Sequence, residues 1–229
     1  MMTINRNFNQ IQNIFKPTGT SDLLINSIKK RLKLRGDVLD LGAGSGYIGI
    51  KLLKLFNNKF NLNASDIDKK SVEFIDKIAR KNKLNINTKT GSLLKIWKNK
   101  KFDFIINDIS GISEEIAKLS PWFKNVSCKS GKDGTKLTLK VINDSKNFLK
   151  KKGTLCFPVI SFANEKKIIK FTKKNFKNVK RIGFNEWPLP KEMIDKISTL
   201  EKLKKKGYIN YKIIFGMVIW YTKIFIAYN

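Results

Sequence analysis

The segment Val38-Leu39-Asp40-Leu41 is a short apolar run that passes directly into three glycines at alternate positions, Gly42, Gly44 and Gly46. Apolar residues at helical spacing resume at Tyr47 and continue to Phe56. A buried strand, a glycine turn and a helix in that order leave few folds open. The turn presents backbone N–H groups at a helix N-terminus and lets a ligand approach the chain closely. The pattern predicts an α/β chain with a nucleotide-shaped site at the carboxyl end of its first strand.

The remaining sequence repeats the alternation. Leu23 to Leu34 has helical periodicity and leads through Gly36 into the first strand. Phe60 to Ser65 reads as a strand closed by Asp66, Ser71 to Asn82 as a helix, Ile86 to Thr90 as a strand and Phe102 to Ile106 as a buried strand. A helix from Thr135 to Leu149 then ends at Lys150 to Gly153, followed by a strand from Thr154 to Ile160, a helix from Glu165 to Phe176 and a strand from Val179 to Phe184. Strands alternating with helices at this spacing predict a doubly wound, parallel sheet with helices on both faces. Ile213 to Tyr228 is rich in β-branched and aromatic residues and interrupted by Gly216 and Lys223, so it reads as a buried strand, not a bilayer span. Residues 1–35 are expected to be an N-terminal helical segment of the same domain as 36–229, with a lysine-rich helical insertion at about 187–207.

Charge narrows the partners. Lysine and arginine number 47 against 18 acidic residues, a net charge of +29, which favours an anionic macromolecule such as RNA or a ribosome-associated protein. Arginine occurs only at positions 6, 31, 35, 80 and 181, and this scarcity argues against sequence-specific base readout. Evenly spread lysine is also what a compositional bias produces. Histidine is absent, which removes the commonest general base and the commonest metal ligand, so no metal site is expected. Two cysteines, Cys128 and Cys156, make no disulfide framework, and Met1 to Phe15 has no signal-peptide core; a reducing cytoplasm is the expected location, without membrane association.

Which ligand the glycine turn takes depends on register. A dinucleotide fingerprint anchored at the strand end needs a third glycine at position 47, which holds Tyr47; a shifted version from Gly44, Gly46 and Gly49 starts inside the turn. The run Asp40-x-Gly42-x-Gly44-x-Gly46 resembles instead the first motif of class I S-adenosylmethionine-dependent methyltransferases. That resemblance implies a Rossmann-like methyltransferase sheet, mostly parallel with an antiparallel last strand. It also implies a cofactor site made of Asp40, Gly42, Ala43, Gly44, Gly46 and Tyr47, with Asp66 and Ile67 at the ribose, Ser92 and Leu93 at the adenine, and Asn107 at the end of the fourth strand.

Phe102-Asp103-Phe104-Ile105-Ile106-Asn107-Asp108 places Asp108 at the carboxyl end of that strand, where the acceptor sits in this family. Asp108 is therefore the candidate for orienting the acceptor or taking its proton, with Asn107 and Ser110 as hydrogen-bonding neighbours. The competing reading of Asp108 is an N-cap for a helix around Ser113 to Leu119. Phe15-Lys16-Pro17-Thr18-Gly19-Thr20-Ser21 and Gly131-Lys132-Asp133-Gly134 resemble pieces of the release-factor glutamine methyltransferases. Where that branch carries Asn-Pro-Pro-Tyr, this chain reads Asp108-Ile109-Ser110-Gly111, so its substrate is not inherited. Trp122, Phe123, Trp187 and Pro188 are candidate walls of an acceptor pocket, and core packing is their alternative. Three functions stay open: methyl transfer to a protein or RNA, methyl transfer to a small metabolite, and a cofactor-binding module with little catalysis.

Overall fold

The computed structural model describes residues 14–109, 111–124 and 126–229. Its elements are α1 (Gly19–Arg31), β1 (Gly36–Leu41), α2 (Tyr47–Leu55), β2 (Phe60–Asp66), α3 (Lys69–Lys81), β3 (Ile86–Thr90), β4 (Phe102–Asn107), α4 (Glu114–Leu119), α5 (Lys136–Phe148), β5 (Leu149–Ile160), α6 (Glu165–Asn175), β6 (Asn178–Pro188), α7 (Ile197–Lys205), β7 (Lys212–Ile214) and β8 (Met217–Tyr228). The sheet runs β3-β2-β1-β4-β5-β8-β6, with β7 paired to β8. Strands β1 to β5 pair in parallel, and β8 runs antiparallel to both β5 and β6. The mostly parallel sheet with an antiparallel last strand is the expected one.

Two apolar layers hold the sheet. Leu24, Ile25 and Ile28 of α1, Ile50 and Leu52 of α2 and Ile78 of α3 pack on one face. Val141 and Ile142 of α5 and Ile168 of α6 join Leu94 and Trp97 on the other. A third cluster combines Ile116 of α4, Phe162, Trp220, and Met193, Leu200 and Leu203 from the chain between β6 and β7. No helix among the described residues is long and apolar enough to cross a membrane.

Several boundaries depart from expectation. Helix α1 begins at Gly19, four residues before Leu23, because the Thr18 N–H donates to Ser21 Oγ (3.4 Å) at its first turn. Strand β5 begins at Leu149: the register jumps from Leu149 opposite Phe102 to Thr154 opposite Phe104, so Lys150 to Gly153 form a bulge inside a strand instead of a turn before one. Within that bulge, Lys150 Nζ bridges Asp37 (3.2 Å) and Asp103 (2.7 Å). Strand β6 carries on to Pro188, so Trp187 and Pro188 are strand residues and the helical stretch follows them. The run from Ile213 to Tyr228 is not one buried strand but a hairpin whose tip is exposed.

Gly134, in the turn before α5, has φ +70°, and a Cβ there would lie 2.6 Å from the backbone of both Ile112 and Ser113. Gly134→Ala is expected to cost about 2 kcal/mol or more, from the left-handed backbone and the clash. Thermal denaturation should show a melting temperature lowered by about 4–8 °C.

Candidate functional site

Strand β1 turns to β2 on one side and to β4 on the other, so the crevice at their carboxyl ends is a topological switch point, where open α/β sheets bind ligands. Leu41 pairs with Asn107, which sets Gly42 directly beside the chain leaving β4. The glycine turn is fixed from β2, because the Gly42 and Ala43 N–H groups both donate to the Ser65 carbonyl (2.9 and 3.0 Å). Gly42, Gly44 and Gly46 have φ of +72°, +51° and +74°. A Cβ on Gly42 would meet Ile109 Cγ2 at 2.4 Å, so this backbone and the fourth-strand loop fit together only as glycine.

A cavity of about 610 Å³ opens over this turn, within the range of small-molecule sites. Gly42, Ala43, Gly44 and Tyr47 line it, as do Asp66, Ile67, Ser92, Leu93 and Asp108. Asp66 accepts from the Gly44 N–H (2.8 Å) with one carboxylate oxygen and from the Asp68 N–H (2.9 Å) with the other. Beside it Ile67 is 73% exposed, an apolar side chain held open over the cavity. Leu93 adopts φ +53°, a conformation β and helical residues avoid, at the turn that brings Ser92 and Leu93 to the far end.

Three expected residues are placed differently. Asp40 is fully buried below the turn, does not line the cavity, and accepts the Gly49 N–H (2.8 Å) with Oδ2. Burial pushes its carboxyl up to about 7, against the Gly49 hydrogen bond, and neighbouring Asp108 and Asp66 raise it further. Its second oxygen has no partner among the described residues. A Cβ on Gly46 would meet Ile75 and Ile50, so this glycine serves the packing of α2. Asn107 is buried beneath the cavity floor, and its Oδ1 lacks a partner among the described residues. Ser110 lies outside the described residues.

Asp108 lines the cavity and accepts the Ser21 hydroxyl at 2.9 Å. Burial raises its carboxyl to about 7, opposed by that hydrogen bond. It does not cap the next helix, whose N-cap is Ser113. Ser21 was not singled out individually by sequence reasoning: it stands 87 residues from Asp108 and is brought to it by the packing of α1 across the sheet. Trp122, Phe123 and Trp220 also wall the cavity, with Lys129 and Lys136 among its lining, and Phe15 packs between Phe123 (ring centroids 5.2 Å apart) and the glycine turn, where a Cβ on Gly44 would lie 3.7 Å from the Phe15 carbonyl. Trp220 went unnoticed within an apolar run. Trp187 and Pro188 do not reach the cavity; Trp187 packs behind Trp220 (5.9 Å) and against Gly19, where a Cβ would lie 2.6 Å from its ring.

One cavity of an α/β fold thus joins the glycine turn, a carboxylate at the second strand end, Asp108 and aromatic side chains. The residues fit S-adenosylmethionine: Gly42 to Ser45 line the cavity where its methionine part would lie, Asp66 has the acceptor chemistry for ribose hydroxyls, and Ile67 and Leu93 offer apolar surface for adenine.

The methyltransferase small domain family model matches residues 14–108. A methyltransferase-family protein of Methanocaldococcus jannaschii is 30% identical over 197 residues, covering 80% of this chain and 71% of that protein. The ribosomal protein L11 methyltransferase of Dictyoglomus thermophilum is 35% identical over 112 residues, 49% of this chain and 36% of its own length. A 16S rRNA methyltransferase of T. thermophilus, solved with AdoMet and guanosine, shares the fold with a TM-score of 0.57 at 16% identity, over 93% of this chain and 44% of that one. The chain belongs to the methyltransferase small domain family and is an S-adenosylmethionine-dependent methyltransferase. It matches about a third of the length of the L11 methyltransferases.

Proposed function

We propose that the chain transfers a methyl group to a macromolecular acceptor, a protein or an RNA, with Asp108 orienting the acceptor and taking its proton. The observation that carries this reading is the continuity of one cavity from the glycine turn past Asp108 to the aromatic wall, with exposed Lys129 and Lys136 in its lining. The net charge of +29 adds long-range attraction for a polyanion. S-adenosylmethionine supplies the methyl as an electrophile on a sulfonium. What the protein contributes is chiefly alignment of two reactants at near-attack distance, which needs little acid–base machinery. Asp66 and the glycine turn hold one reactant, while Asp108, fixed by Ser21, and the ring wall hold the other. The whole chain is read as one such domain, with Thr20 and Ser21 of its N-terminal helix and Trp220 of β8 completing the site.

The test is transfer of radiolabelled methyl from S-adenosylmethionine into separated RNA, ribosomal-protein and small-molecule fractions at rising salt. Label is expected in a macromolecular fraction, with kcat/KM falling as salt increases. Label confined to small molecules and indifferent to salt would replace this reading with metabolite methylation.

A further inference from the structure

We propose that the β7–β8 hairpin is a docking arm for single-stranded RNA; this rests on the macromolecular reading above and names its partner. The register places the arm. Ile160, the last residue of β5, pairs with Thr222, so the earlier residues of β8 extend past the carboxyl edge of the parallel strands, the edge that holds the glycine turn and Asp108. Trp220 on this extension is part of the cavity wall. Phe215 at the tip lies five residues further, about 17 Å of strand. Lys212 Nζ ties the base of the hairpin to Glu186 of β6 (2.5 Å).

The tip is not built for folding. Phe215 is 97% exposed, Ile213 65% and Met217 54%. Phe215 and Gly216 have φ of +48° and +76°, the two left-handed positions of a hairpin turn that favours Asn-Gly. An aromatic residue there pays backbone energy and buries nothing in return, which marks a residue retained for contact with something else.

Charge selects the occupant. Lys202, Lys205 and Lys206 on the end of α7 are exposed and make no ion pair among the described residues. That helix end rests on the base of the hairpin, where Lys204 Nζ donates to the Tyr211 carbonyl (2.8 Å) and lies 4.1 Å from the Tyr211 ring centroid. The hairpin, with Phe215 at its tip and the lysines of α7 at its base, thus makes one station, and the cavity lining with Trp122, Phe123, Lys129 and Lys136 a second. A polyanionic strand with stackable bases engages both. A second copy of the chain would bring another +29 against this face, and a bilayer at the tip would leave the second station unused.

The experiment is fluorescence anisotropy with a labelled single-stranded RNA of roughly 20 nucleotides, enough to cover a typical single-strand site. Phe215→Asn, which suits the left-handed backbone, is expected to weaken binding about fivefold or more, the loss of one stacked base. Its S-adenosylmethionine affinity should be unchanged. Replacing Lys205 and Lys206 together by Gln should flatten the dependence of log K on log salt by about 1.4. Absence of RNA binding by the wild type, or unchanged affinity in Phe215→Asn, overturns the proposal. So does finding that the variant loses self-association in sedimentation, or binding to phosphatidylglycerol vesicles, while RNA binding stays intact. If RNA binds through Phe215 but no fraction accepts methyl, the arm stands and the macromolecular-transfer reading fails.

Discussion

Asp108→Asn is expected to reduce methyl transfer by ~10²–10⁴-fold, the usual contribution of a positioned acid–base group, while S-adenosylmethionine still binds with wild-type affinity. The amide preserves shape and can still accept the Ser21 hydroxyl now seen at 2.9 Å, so a loss of rate reports the missing charge and not a collapsed loop. Burial holds the Asp108 carboxyl near about 7. A wild-type rate that needs the ionised form should therefore rise with pH through about 7, and the variant should be flat there. Stability runs the opposite way. A carboxyl raised above its usual 3.8 stays protonated in the folded protein when the unfolded chain has already ionised, so its contribution is full below 3.8 and is lost as pH rises through about 7. Melting temperatures across that window should fall less steeply in Asp108→Asn than in the wild type. A variant that keeps its rate, or loses cofactor binding in proportion, removes Asp108 from the acceptor role.

The second large effect falls on Asp66. Asp66→Ala deletes the acceptor for ribose hydroxyls together with the two bonds that now tie Gly44 and Asp68 to its carboxylate. A charge-assisted hydrogen bond contributes about 1.5–3 kcal/mol, so calorimetric titration should show S-adenosylmethionine binding weakened by roughly 10–100-fold. Asp66→Asn keeps one of the two acceptor oxygens but sets its NH2 against the other backbone N–H, so it should recover only part of the loss. The contrast with Asp108 is the informative part: one substitution should act on cofactor affinity, the other on turnover. Equal loss of affinity in both would show that the cavity is not divided into donor and acceptor halves in this way.

The site was legible in the sequence wherever its residues are neighbours along the chain. Gly42 to Ser45, Asp66 with Ile67, Ser92 with Leu93, and Asp108 each stand at the carboxyl end of a strand that the alternation of the sequence marks out, and all of these reach the cavity. Asp40 and Asn107 belong to the same motifs but do not line it, because successive residues of a strand alternate in direction, and Gly46 is turned against Ile75 and Ile50; a motif does not report which face is lined. Lys150 to Gly153 read as a turn, since a bulge and a turn share glycine and charge; only the pairing with β4 tells them apart.

The sequence by itself determined the class of fold and the place of the glycine turn at the carboxyl end of its first strand. A buried strand running into a glycine turn is a local pattern, enforced by backbone sterics and hydrophobic periodicity over a dozen residues. The tertiary structure alone decided what surrounds Asp108. Ser21 meets Asp108 across 87 residues, Trp220 comes to the cavity from the last strand, and Trp187 is turned behind it. Phe215 stands exposed at the tip of a hairpin that the apolar run had concealed. Contacts of this kind depend on strand order and register, which are set by the packing of the whole sheet and leave no mark on any short stretch of chain.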